Sequence, residues 1–107
     1  MPTIYLSPSL QPFNKYINGS DEQTVMNQVA DAMEPYLRAC GIRFTRNHIG
    51  MTLGQAIQQS NEGYYDLHLA LHSNAAPESL AGKLRGTDVY YYTYSTPGKR
   101  AAEILAE

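Results

Sequence analysis

Short apolar runs alternate with longer stretches of helical periodicity along this chain. Residues 4–6, 42–45 and 67–71 have the length and composition of buried strands. Between the first two runs, apolar side chains recur every four residues and predict a helix over residues 20–40; they are Val25, Val29, Met33 and Leu37. A second helix is predicted after Thr52, a residue type that suits a helix N-cap.

The last third of the chain adds two predicted elements. Residues 87–94 are β-branched and aromatic, which favours a fourth strand, and residues 99–107 suit a final helix. The order β-α-β-α-β-β-α predicts an α/β fold: a mainly parallel sheet of about four strands with helices on both faces. Because the sequence stops inside a helix with no following strand, we expect residues 1–107 to be a single, incomplete domain that is truncated before its closing strands.

Composition and charge narrow the classes of function. The net charge is -2 and no run of like charges occurs, which argues against a nucleic-acid partner. No apolar segment is long enough to suggest a membrane span, and no signal peptide is visible. Cys40 is the only cysteine, so neither an intrachain disulfide nor a multi-cysteine metal site is expected.

Three features are expected at the carboxyl edge of the sheet, where open α/β sheets bind ligands. They are the loop after the first strand, Glu22 at the start of the first helix, and His72 at the end of the third strand. A carboxylate and an imidazole are both good zinc ligands. Each also has a plainer explanation, since a carboxylate favours any helix N-terminus and a histidine often just ends a strand. His68 shares a strand face with His72 but lies deeper, which favours a place in the core.

A family resemblance changes the weight of these residues. Residues 65–75, Y-D-L-H-L-A-L-H-S-N-A, resemble the A-D-L-hydrophobic-I-S-I-H-A-N-A segment of the amidase-3 family of N-acetylmuramoyl-L-alanine amidases. Four further segments also resemble the family and occur in the family's order along the chain. They are an opening strand (4–8), a helix start with a glutamate (22–30), a G-x-x-V-x-x-T-R-like strand (41–46) and a G-x-E-x-Y-Y-Y-like strand (86–92).

The resemblance implies a zinc site that is only partly retained. Glu22 and His72 match two of the family's three metal ligands. Leu10 stands where the family has the third, the histidine of its D-P-G-H-G loop, and leucine has no lone pair to offer. The neighbouring Gln11 is the nearest substitute.

Other positions of the family's site are less well matched. Asn14 and His48 are the remaining alternatives for the third ligand, and Asn74 of the H-S-N-A segment is a candidate for substrate binding. The family's general base, a late glutamate, is expected beyond the end of this chain.

The resemblance implies a peptidoglycan hydrolase, extracytoplasmic or in the cell wall, that uses Zn²⁺ to cleave the amide between N-acetylmuramic acid and the L-alanine of the stem peptide. The replacement at Leu10 keeps open an alternative, a non-catalytic module of the same fold that binds cell wall or a protein. A nucleotide-binding domain is disfavoured because no glycine-rich loop follows the first strand. An exposed sheet edge also predicts a homo-oligomer.

Overall fold

The computed structural model describes residues 2–13, 15–16, 19–73 and 87–106. Six elements follow in chain order: β1 (Thr3–Pro8), α1 (Glu22–Ala39), β2 (Arg43–Arg46), α2 (Leu53–Glu62), β3 (Leu67–Leu71) and α3 (Thr96–Leu105). The chain divides into two compact units, Met1–Asn74 and Ala75–Glu107. The first contains the sheet with α1 and α2, and the second contains α3. That the whole chain is one domain stays a prediction.

The sheet of the first unit has the strand order β2-β1-β3, and both pairings are parallel. Ile4 of β1 lies opposite Phe44 of β2 and Leu67 of β3, so β1 is the central strand. Parallel pairing requires crossover connections, which α1 and α2 provide. The prediction of a small α/β fold with a parallel sheet is therefore confirmed.

The core of this unit lies around the central strand. Tyr5 and Leu6 are fully buried although successive strand residues point to opposite faces of a sheet. Ala30 of α1 and Ala56 of α2 are also fully buried, and α1 contacts both β1 and β2. The hydroxyl of Tyr5 donates a hydrogen bond to Gln59 Oε1 at 2.6 Å, so its polar end is satisfied within the core.

The helix starts follow local capping chemistry. Asp21 caps α1 by accepting a hydrogen bond from the Thr24 amide at 2.8 Å. Thr52 and Gln55 form a reciprocal capping box at α2, as expected for this N-cap. In the second unit, α3 begins at Thr96 rather than residue 99, because proline is well accommodated in the first turn of a helix.

The predicted fourth strand is not found where the sequence placed it. Residues 87–92 have no regular secondary structure, and residues 93–94 form a turn. Tyr90, Tyr92 and Tyr94 are exposed. The tendency of aromatic residues to form strands reflects packing on a half-buried pleated surface, and no described strand pairs with residues 87–94 to provide that surface.

Arg46, at the end of β2, joins the sheet to α1. Its guanidinium donates to Asp31 Oδ1 and Glu34 Oε2, both at 2.6 Å, and to Asn27 Oδ1 at 2.8 Å. The Arg46 and Glu34 side chains are largely buried, so the bond between them is shielded from competing water, whereas the Asp31 side chain is mostly exposed. The network fixes the position of α1 on the sheet.

Replacing Arg46 by methionine should lower the free energy of unfolding by about 1–3 kcal/mol, because Glu34 and Asn27 lose a charged donor in a largely buried place. Chemical denaturation measures the effect. The matched control is Arg43→Met on the same strand, where the side chain is exposed and the expected change is within about 0.5 kcal/mol. Equal losses in the two variants would contradict this role of Arg46.

Candidate functional site

Strand order brings two loops together at the carboxyl edge of the sheet. Pro8, the last residue of β1, lies opposite Leu71, the last residue of β3. The chain therefore leaves both strands side by side, with Ser9 after the first and His72 after the second. Glu22 is the first residue of α1, and its side chain reaches between these two loops.

The carboxylate of Glu22 is buried, with 3% of the residue exposed, and is held from both sides. Ser9 Oγ donates a hydrogen bond to Oε2. Ser73 donates to Oε1 twice, from its backbone amide at 2.9 Å and from its hydroxyl at 3.3 Å. The Ser73 hydroxyl is itself hydrogen-bonded to the hydroxyl of Tyr16. Glu22 thereby connects the start of α1 to the ends of β1 and β3.

These contacts decide the ionisation of Glu22. Burial acts to raise the pKa of its carboxyl group, but the hydrogen bonds from Ser9 and Ser73, together with His72, outweigh burial and hold the pKa below the ordinary value of 4.5. The position at a helix N-terminus also favours the negative charge. At neutral pH the site therefore contains a fixed, ionised carboxylate.

The lowered pKa predicts how stability depends on pH in the metal-free protein. A carboxyl group whose folded pKa is lowered stabilises the fold fully above its unfolded pKa, and the contribution is lost as the pH falls through the folded pKa. Urea unfolding with a chelator present should therefore show stability declining below pH 4.5, with a shallower decline for Glu22→Gln. Asp21 and Glu34 also have lowered pKa values but titrate in both proteins. Parallel pH curves would contradict the assignment to Glu22.

His72 faces the same carboxylate, and its Nδ1 lies 3.5 Å from Glu22 Oε2. About half of the His72 side chain, 47%, is exposed, so the pair can be reached from solvent. A separation of 3.5 Å is long for a hydrogen bond. It is close to the value of about 3.3 Å that two ligands have on a tetrahedral zinc ion with bonds of 2.0–2.1 Å.

Lone-pair counting also leaves space for one coordination bond. An ionised carboxylate offers about four acceptor positions, two on each oxygen. Ser73 fills two on Oε1 and Ser9 fills one on Oε2. The remaining position is on Oε2, the oxygen nearest His72. The Glu22–His72 pair therefore fits two adjacent ligand positions of a divalent cation.

A third strong ligand does not join this pair in the part of the chain that the structure describes. No group of three or more histidine, cysteine, aspartate or glutamate side chains gathers there in a way that could hold a metal ion. Gln11 reaches the site through its backbone, where its N–H donates to Ser9 Oγ at 3.1 Å. His48 is exposed in the loop after β2. Asn14 and Asn74 lie outside the described residues.

The residues that hold Glu22 were not singled out from the sequence. Ser9, Ser73 and Tyr16 each contribute a hydroxyl to the hydrogen-bonded chain around the carboxylate. Of these residues, Ser9 could have been noticed in the sequence. When Leu10 is matched to the histidine of the family's D-P-G-H-G loop, Ser9 falls on the glycine before it. A serine in place of glycine adds a hydrogen-bond donor next to Glu22, a candidate metal ligand.

The prediction that His68 lies in the core is wrong. This residue is exposed on β3 rather than in the core, and its Nδ1 lies 2.8 Å from the Ser60 hydroxyl, while its ring packs 5.2 Å from that of Tyr5. Among the described strands β3 pairs only with β1, so it lies at an edge of the sheet, where side chains are less covered than on a central strand. His68 therefore shares no contact with Glu22 that would make it part of the site.

Comparisons with known proteins add no relative to this picture. The chain matches no protein-family model, and searches of curated proteins and of solved structures found no match. Within the described ranges, no helix combines the length and the apolar character needed to cross a bilayer. The functional interpretation accordingly depends on the sequence motifs and on the geometry around Glu22 and His72.

Proposed function

We propose that this chain is a zinc-dependent peptidoglycan hydrolase that cleaves the amide between N-acetylmuramic acid and the L-alanine of the stem peptide. The observation that carries the proposal is the meeting of Glu22 and His72, 3.5 Å apart, at the carboxyl edge of a parallel sheet. These are the two residues that the amidase-3 resemblance pairs as metal ligands, although they are 50 positions apart in the sequence.

In this proposal the residues of the chain bind and orient. Glu22 Oε2 and the His72 imidazole hold the cation, and Ser73 and Tyr16 keep the carboxylate in place. A bound zinc ion supplies Lewis-acid polarisation of the amide carbonyl and a lowered pKa for water. The exposed side of His72 gives a muropeptide access to this point. No general base is assigned.

The test is digestion of purified peptidoglycan by the chain with added zinc, read by mass spectrometry. We expect released stem peptides that begin with L-alanine, and we expect their loss with Glu22→Gln and His72→Ala. The matched control is Glu62→Gln, which removes an exposed glutamate at the end of α2 and should leave the products unchanged. Circular dichroism of each variant establishes that it is folded.

A second function is favoured by one specific observation: Leu10 occupies the position of the third metal ligand, and the described residues supply no third strong ligand. A module that binds peptidoglycan or a protein without cleaving it would need no complete metal site. Co-sedimentation with insoluble peptidoglycan, without release of stem peptides, would support this module and contradict the hydrolase.

The proposal also includes features of the fold, the location and the assembly of this protein. A hydrolase of this family would place helices on both faces of the sheet and would add a fourth strand to it. It would act outside the cytoplasm, on the wall. The outer edges of β2 and β3 pair with no other described strand, and their backbone groups could pair in a homo-oligomer. Sedimentation of the chain as a clean monomer at high concentration would contradict that contact.

A further inference from the structure

Ser9 donates a hydrogen bond to Oε2, the oxygen of Glu22 that faces His72, and among the described residues it is the contact to Oε2 that comes from the loop after β1. We infer that Ser9 is a positioning residue, which holds Glu22 Oε2 in the orientation needed to bind a cation together with His72. This inference rests on the proposed function, because it concerns the same pair of ligands. It assigns a role to a side chain that the resemblance does not include.

The direction of the hydrogen bond follows from the partners of Ser9. Its Oγ accepts a hydrogen bond from the Gln11 backbone amide at 3.1 Å. The single hydroxyl hydrogen of Ser9 is therefore directed to Glu22 Oε2, which can only accept. The loop after β1 supplies a donor whose position is set by the backbone of the same loop.

The other contacts of Glu22 are made to the other oxygen or are longer. Both hydrogen bonds from Ser73 end on Oε1, and His72 Nδ1 lies 3.5 Å from Oε2, which is long for a hydrogen bond. The terminal torsion of a glutamate is broad, so without Ser9 the orientation of Oε2 depends on the Ser73 bonds to Oε1 and on the long contact with His72. Ser9 and Glu22 are 1% and 3% exposed, so the hydrogen bond between them is shielded from bulk water, while the site is open to solvent at His72.

Holding Oε2 has a consequence for metal affinity. Removing a hydrogen bond that orients a metal ligand typically weakens binding about 10- to 100-fold. Ser9→Ala should lower zinc affinity by this factor, while Ser9→Thr, which keeps the hydroxyl, should bind zinc nearly as the unchanged protein does. The effect acts on the orientation of Glu22 and requires no ligation by Ser9 itself.

Calorimetric titration of the 107-residue chain with zinc tests the inference, with unfolding in urea measured on the same samples. The matched control is Ser7→Ala, since Ser7 is also a buried serine of the β1 segment and accepts a hydrogen bond from Asn47 rather than contacting Glu22. We expect both alanine variants to unfold at lower urea concentration. Only Ser9→Ala should lose zinc affinity, which separates a positioning role from a general loss of stability.

The other outcomes are distinguishable. Zinc affinity in Ser9→Ala equal to or higher than that of the unchanged protein would overturn the inference, and higher affinity would mean that Ser9 competes with the cation for Oε2. The proposed function would survive unchanged or higher affinity in Ser9→Ala, provided that Glu22→Gln and His72→Ala abolish zinc binding. No zinc binding in the unchanged chain or in any variant would overturn both.

Discussion

Leu6→Ala is expected to lower the free energy of unfolding by about 3–5 kcal/mol, which is a large part of the stability of a small domain. Leu6 is fully buried on the central strand and pairs with Arg46 of β2 on one side and Leu69 of β3 on the other. Truncation of this side chain would leave a cavity in the core beside the central strand. Urea unfolding followed by circular dichroism measures the loss.

The control for this prediction is the same substitution at an exposed site. Leu53, the first residue of α2, is 62% exposed. Leu53→Ala should change the free energy of unfolding by about 0.5 kcal/mol at most, because little apolar area is returned to water. A loss at Leu6 no larger than at Leu53 would contradict the central position of β1 in the core.

Glu22→Ala is expected to have the second large effect, and it should lower both stability and zinc binding. The substitution leaves the Ser9 hydroxyl and the Ser73 amide without their acceptor. Each unsatisfied buried donor costs about 1–3 kcal/mol, so a total loss of about 3 kcal/mol is expected in the metal-free protein. Denaturation with a chelator present gives the stability, and calorimetry gives the zinc affinity.

His72→Ala separates the two roles of this site. The His72 side chain is about half exposed, and its contact with Glu22 is long, so its removal should change metal-free stability by less than about 1 kcal/mol. Zinc binding should nevertheless be lost. A metal-free stability loss as large as that of Glu22→Ala would show that His72 serves the fold rather than a cation.

The sequence predicted the first unit well because its signals are local and mutually consistent. Three short apolar runs and two helical patterns became β1 to β3, α1 and α2, and the capping residue Thr52 marked the start of α2. The prediction of a strand over residues 87–94 was wrong, although it used the same residue propensities that correctly placed β1 to β3. A strand needs a paired neighbour, which propensity does not supply.

The proximity of Glu22 and His72 was predictable from the sequence, but the side chains that hold Glu22 were not. Glu22 and His72 follow from topology, since a helix start and two parallel strand ends meet at one edge of the sheet. The hydroxyls of Ser9, Ser73 and Tyr16 depend on the paths of loops, and neither periodicity nor propensity specifies those paths. The amidase-3 resemblance places Leu10 where the family has its third metal ligand. The proposed zinc site therefore requires that two side chains hold the cation.

Diffraction from crystals grown with zinc, recorded on both sides of the zinc absorption edge, tests most directly whether they do. We predict an anomalous peak bonded to a Glu22 carboxylate oxygen and a His72 ring nitrogen at about 2.0–2.2 Å. Ordered density for both side chains with no peak between them, or with zinc bound only elsewhere on the chain, would contradict a metal centre at this edge of the sheet.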